Sequence, residues 1–122
     1  MRHKRQTIMR TLVILSICLF LSNKEFSQNN SIKTFTLIVK GNCEECKERI
    51  ENASDIKGVK FSKWNATTKI LSVTYNSEKV KVEQIKQAIL SSGHDLDSLA
   101  APLTSYNKLP ACCKYRDKKC EK

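Results

Sequence analysis

The chain has 122 residues, six cysteines and a formal net charge of +10. That length allows one domain of ordinary size. Hydrophobic residues are 40% of the whole but are unevenly placed: nine of them fill the eleven positions from Thr11 to Leu21. The 122 residues therefore cannot all belong to one folded unit. What remains is near the smallest chain that buries a stable core unaided, which excludes a large enzyme with a deep cleft.

Arg2, Lys4, Arg5 and Arg10 precede the apolar run with no acid among them. A basic stretch before an apolar run of this length reads as a secretory signal. A spanning helix needs roughly 20 apolar residues, so an uncleaved membrane anchor is the less favoured alternative. The expected organisation is a signal peptide over 1–27, a linker over 28–33, a folded domain over 34–98 and a cysteine-containing tail over 99–122. The mature protein is then secreted or periplasmic. Loss of 1–27 removes five bases and Glu25, leaving 17 bases against 11 acids, a surplus of +6. That surplus is spread without interleaved aromatics, which argues for no nucleic-acid partner.

Thr34 to Lys40 alternates, with Phe35, Leu37 and Val39 on one face, as in a half-buried strand. Gly41-Asn42 breaks it. From Cys43 to about Ser54 the pattern turns helical, with Cys46, Ile50 and Ala53 at i, i+4 and i+7. Val59 and Phe61 alternate with Lys60 and Ser62 in a second strand, and Leu71, Val73 and Tyr75 share a face of a third. Two strands this close in sequence form an antiparallel hairpin most simply. Glu78 to Ser92 predicts a second helix with Val82, Ile85, Ala88 and Ile89 as its stripe, stopped by Gly93. His94 to Asp97 could add a short fourth strand. The order is β-α-β-β-α-β, an α+β ferredoxin-like sandwich. Beyond Ala101, Leu103 to Leu109 could form a short helix, and the polar tail holds Cys112, Cys113 and Cys120.

Cys43 and Cys46 carry the chemistry. The first lies on the loop leaving the first strand and the second in the first helical turn, so both sulfurs can converge on one ion. A helix N-terminus favours thiolates, the metal-binding species. Two soft sulfurs without an oxygen cage suit Cu(I), Zn(II) or another thiophilic ion. The same spacing also fits a thioredoxin-like redox pair or a structural disulfide.

A CxxC between the first strand and first helix of such a chain resembles the heavy-metal-associated (HMA) domain family, over roughly Thr34 to Leu96. The family includes copper chaperones, the metal-binding domains of copper-transporting ATPases and the periplasmic mercury-binding protein. Its usual motif is Gly-Met-x-Cys-x-x-Cys. Cys43 and Cys46 match the two metal-binding cysteines, but Gly41 is only two residues before Cys43, and the methionine that normally packs under the loop is missing. The run Ala88-Ile-Leu-Ser-Ser-Gly93-His94 resembles the family's ending of the second helix, whose residue after the glycine lies beside the metal. The resemblance thus makes His94 a candidate third ligand or proton-sensitive gate; the alternative is a surface histidine that caps the loop.

The resemblance implies a metal-binding, non-enzymatic protein that captures a thiophilic ion and passes it on by thiolate exchange. Cu(I) is favoured, then Hg(II) or Zn(II). A metal-transporting ATPase or other metal-accepting protein is the implied partner. Lys40, Lys47 and Arg49 could offset thiolate charge and dock an acidic partner, or form a solvated face. A monomer is expected, with a metal-bridged dimer as the alternative. A thiol–disulfide oxidoreductase using the same CxxC is the competing function. The five cysteines outside the signal are odd in number, so a fully paired monomeric disulfide framework is excluded. Two readings of Cys112, Cys113 and Cys120 stay open: additional metal ligands, or a disulfide from Cys112 or Cys113 to Cys120.

Overall fold

The computed structural model describes residues 3–10 and 31–117. The apolar run, residues 28–30 of the linker and Cys120 lie outside these. Residues 3–10 form a helix, α1, with every residue exposed. Among the described residues, no helix is long and apolar enough to cross a membrane.

The folded part runs β1 (Ile32–Ile38), α2 (Glu44–Ser54), β2 (Val59–Trp64), β3 (Ile70–Asn76), α3 (Val82–Ser91) and α4 (Leu103–Tyr106). Two 3-10 turns follow, Ala111–Cys113 and Tyr115–Asp117. The sheet is antiparallel with strand order β1-β3-β2. The expected fourth strand is reduced to a bridge between Val39 and Leu96, on the outer side of β1. It goes no further because the chain turns after Leu96, whose N–H donates to Leu99 O at 2.9 Å.

The register places Phe35 opposite Val73 and Leu37 opposite Leu71. This puts the alternating apolar residues of β1 and β3 on the face that α2 and α3 cover. Phe35 and Tyr75 meet edge to face at 5.5 Å. From the helices come Cys46 and Ile50 of α2 and Ile85, Ile89 and Leu90 of α3, all buried. Ser54, one position beyond the expected Ala53, ends the α2 stripe fully buried. Its hydroxyl lies 2.8 Å from Ser62 Oγ, so a polar atom inside the core keeps a partner.

Two elements depart from the sequence pattern. Phe61 does not face inward. The register shifts between Val59 and Phe61, Phe61 pairs with Thr74 on the open face, and the residue is 56% exposed. One extra residue in a strand reverses every later side chain, so Ser62 and Trp64 turn inward instead. The second helix begins four residues later than expected, at Val82 rather than Glu78. Asn76 accounts for this: its side-chain oxygen accepts the Glu78 N–H at 2.9 Å, and its carbonyl accepts the Lys79 and Val80 N–H groups. An Asx turn thereby takes the donors a helix would need. Gly58 sits opposite, at φ +105°, where a Cβ would lie 2.8 Å from Val80 Cγ1.

Candidate metal centre

The loop between β1 and α2 is short and held from three sides. Trp64 donates Nε1–H to Val39 O at 3.0 Å. Lys40 donates its N–H to Asp95 O at 2.8 Å. His94 Nδ1 lies 2.8 Å from Lys40 O. A Cβ on Gly41 would stand 3.0 Å from Cys46 Cβ, 3.2 Å from Trp64 Cη2 and 3.3 Å from Ile50 Cδ1. Gly41 therefore lets the loop lie directly on the core.

Cys43 is the N-cap of α2, in extended conformation, with its thiol left free of any capping bond. Its Sγ lies 3.2 Å from Cys46 Sγ. Cys46 is fully buried, and its thiol donates to Asn42 Oδ1 at 3.4 Å. Burial pushes the Cys43 thiol up, but hydrogen bonding to Cys46, Cys113 and Cys112 outweighs it and holds the pKa below the usual thiol value. Burial pushes Cys46 the other way, upward. One thiol is thus partly exposed and the more acidic of the two, while its neighbour is buried.

The tail closes on this pair. Cys113 Sγ lies 3.7 Å from Cys43 Sγ, and Cys112 Sγ is 4.0 Å from Cys113 Sγ. The ligand atoms of Cys43, Cys112 and Cys113 all fall within 4.8 Å of one another. Cys112 donates its thiol proton to Glu45 Oε2 at 2.8 Å, which pushes its pKa up to about 11. Burial, then the neighbouring Cys46 and Cys43 sulfurs, drive Cys113 well above the ordinary range. All four thiols are free. Cys120 lies outside the described residues.

The tail is positioned by polar and aromatic contacts. Arg116 embraces Asp95 with two nitrogens, one through Nε at 3.0 Å and the other through Nη2. Its Nη2 also donates to Ala101 O at 3.0 Å, and Asp95 accepts the Ala101 N–H. Tyr115 donates to Gly93 O at 2.9 Å and accepts the Asp95 N–H at 2.8 Å. Tyr106 is buried and accepts the Arg116 N–H at 3.0 Å. Burial tends to raise the Asp95 pKa, but the Arg116 guanidinium holds it below the usual carboxylate value.

A family model for the heavy-metal-associated domain matches residues 36–95. A solved structure of the CopZ metallochaperone is 36% identical, with the alignment covering 52% of this chain and 98% of that one, at a TM-score of 0.50. The chain belongs to the heavy-metal-associated domain family. A putative copper-ion-binding protein from Bacillus anthracis is 28% identical, over 56% of this chain and 99% of that one, at a TM-score of 0.53. The N-terminal domain of a potential copper-translocating P-type ATPase from Bacillus subtilis, in a Cu(I)-loaded state, is 25% identical, over 58% of this chain and 99% of that one, at 0.51. Curated proteins yield no match.

Measured against the family motif, the loop lacks its methionine. Trp64 fills the space beneath it, with its ring against Gly41. The turns bearing Cys112 and Cys113 lie beyond the family match. Lys47 and Arg49 are within 3.7 and 4.0 Å of Glu44 and Glu45 on their own helix; pairs this exposed contribute little to stability.

His94 is neither on the surface nor in the sulfur cluster. It is fully buried, stacked on Tyr115 at 5.7 Å, and its Nε2 has no hydrogen-bond partner. With Nδ1–H donated to Lys40 O, Nε2 is the bare nitrogen of a neutral ring. Its Nδ1 thereby ties it to the loop that leaves β1. Burial pushes its pKa below the usual imidazole value, outweighing the bond to Lys40. The unfolded chain then binds a proton that the native ring refuses. Stability should therefore fall as pH drops below about 6.5, until the native ring titrates as well. Thermal denaturation from pH 7.5 to 5 should show this decline. His94→Asn, which keeps a donor for Lys40 O, should be less stable at pH 7.5 and flatter with pH. An equal slope in both proteins would refute the assignment.

Proposed function

We propose that this protein is an exported carrier of a soft metal ion, held by Cys43 and Cys46 and released to a partner by thiolate exchange. Support comes chiefly from the paired sulfurs, 3.2 Å apart at the start of α2, with the more acidic one on the accessible side. Capture displaces the thiol protons. The ion then rests on two sulfurs, and an incoming thiolate can join the shell before Cys43 leaves it. Cu(I), a soft ion suited to thiolates, is the favoured cargo. The similar Bacillus proteins are a putative copper-ion-binding protein and a domain of a potential copper-translocating ATPase. A metal-transporting ATPase is a suitable acceptor. Residues 1–27 would direct the chain to the periplasm or outside the cell, where a carrier meets ions entering or leaving.

The test is transfer. Anaerobic Cu(I) titration of the full chain against a chromophoric chelator should show tight binding. Mixing the loaded protein with a dithiol acceptor domain should then move the ion at a rate that rises with acceptor concentration. A rate independent of acceptor would indicate simple dissociation and sink the exchange mechanism. The 3.2 Å sulfur pair also suits a reversible disulfide, and turnover of a mixed disulfide without metal would favour the redox reading.

A further inference from the structure

We infer that Cys112 and Cys113 are ligands of the same centre, completing with Cys43 and Cys46 a four-thiolate shell for a tetrahedral divalent ion of the zinc type. This deepens the carrier reading and rests on Cys43 and Cys46 binding metal.

Sulfur spacing is the first argument. Zinc–sulfur bonds of about 2.3 Å at the corners of a tetrahedron place neighbouring sulfurs roughly 3.8 Å apart. Here the spacings are 3.2 Å for Cys43–Cys46, 3.7 Å for Cys43–Cys113 and 4.0 Å for Cys112–Cys113. The sulfurs of Cys43, Cys112 and Cys113 lie within 4.8 Å of one another, and that of Cys46 joins them through Cys43. Four sulfurs in a tetrahedron select zinc-like ions, whereas two suit Cu(I).

The second argument is how the tail is held. Cys112 and Cys113 belong to a turn locked between Tyr106, Tyr115 and the Asp95–Arg116 pair, all outside the cysteine cluster. These contacts deliver both sulfurs to α2 without help from a metal. Preformed ligands are what a resident four-coordinate site requires. A shell closed by protein sulfurs leaves no open position for a partner thiolate, which can enter only as one of the four sulfurs leaves.

Cd(II) tests this in the full chain, kept reduced by a phosphine, because cadmium–thiolate charge-transfer absorbance and the 113Cd chemical shift both report the number of bound sulfurs. At one equivalent, the wild-type chain should show four thiolates. Cys112→Ser and Cys113→Ser should each lose one, and the double variant should lose half the charge-transfer intensity with an unchanged far-UV circular dichroism spectrum. The same thiolate count in wild type and the C112S/C113S variant would overturn the inference, and loss of only one sulfur in the double variant would overturn the four-thiolate shell. The C43S/C46S variant separates the two readings. If it keeps wild-type affinity, the carrier reading itself fails. If it loses the ion while C112S/C113S matches wild type, only the tail inference fails.

Discussion

Cys43→Ser should abolish tight Cu(I) binding and leave the fold almost untouched, whereas Cys46→Ser should damage both. Replacing either sulfur removes a soft ligand and supplies a hard hydroxyl that does not ionise near neutrality, so each change should weaken Cu(I) binding at least about a thousandfold, or roughly 4 kcal/mol. The two positions differ in what else they do. Cys43 caps α2 without a side-chain capping bond and is half-buried, so serine there disturbs little packing and adds a better N-cap. Cys46 is fully buried under Gly41 beside Ile50 and Trp64. A hydroxyl in that place exchanges an apolar contact for a polar group whose nearest acceptor, Asn42 Oδ1, was 3.4 Å from sulfur. That should cost about 1–3 kcal/mol of stability. Chelator competition and urea denaturation measure the two effects separately. Wild-type Cu(I) affinity in Cys43→Ser would move the site into the tail.

The alternation of Phe35, Leu37 and Val39 and the spacing of Cys46 and Ile50 were legible because each element buries one face, and that burial writes its own period into the sequence. Phe61 was not, because the bulge before it breaks the period by one residue while Val59 and Phe61 still look like an alternating pair. The start of α3 was hidden by Asn76, whose side chain competes for backbone donors that a helical pattern assigns to the helix. The dithiol could be found from spacing alone. Its tail neighbours were legible only as open candidates, since Cys43 and Cys113 are 70 residues apart and are brought together by contacts such as Asp95–Arg116, themselves separated by 21. Tyr106 and Tyr115, two large aromatics in an otherwise polar tail, were the available signal that it packs on the core. That His94 is buried rather than on the surface was hidden for the same reason. Its burial comes from Tyr115, which local sequence does not place above it.

Trp64→Ala should be the most destabilising single substitution in the domain and should weaken metal binding without touching a ligand. Trp64 is 1% exposed, and its ring occupies the space between Gly41 and the core. Truncating a buried tryptophan costs about 3–5 kcal/mol, a large part of the 5–15 kcal/mol that holds a typical domain together. The loss is more than volume. The indole N–H is the donor that satisfies Val39 O at the end of β1, and the Trp64 backbone N–H donates to Glu51 Oε1 at 2.9 Å. One residue therefore ties β2 to α2 and to the loop that carries Cys43. Trp64→Phe separates the contributions: the ring persists, the Val39 carbonyl loses its donor, and stability should drop by about 1–3 kcal/mol. Because the chain has a single tryptophan, denaturation must be followed by circular dichroism rather than fluorescence. If the loop is positioned as described, Trp64→Phe should also weaken Cu(I) binding measurably at a temperature where the protein is fully folded. Unchanged affinity in a folded Trp64→Phe variant would mean that the dithiol is held by α2 alone and that the tryptophan serves only the core.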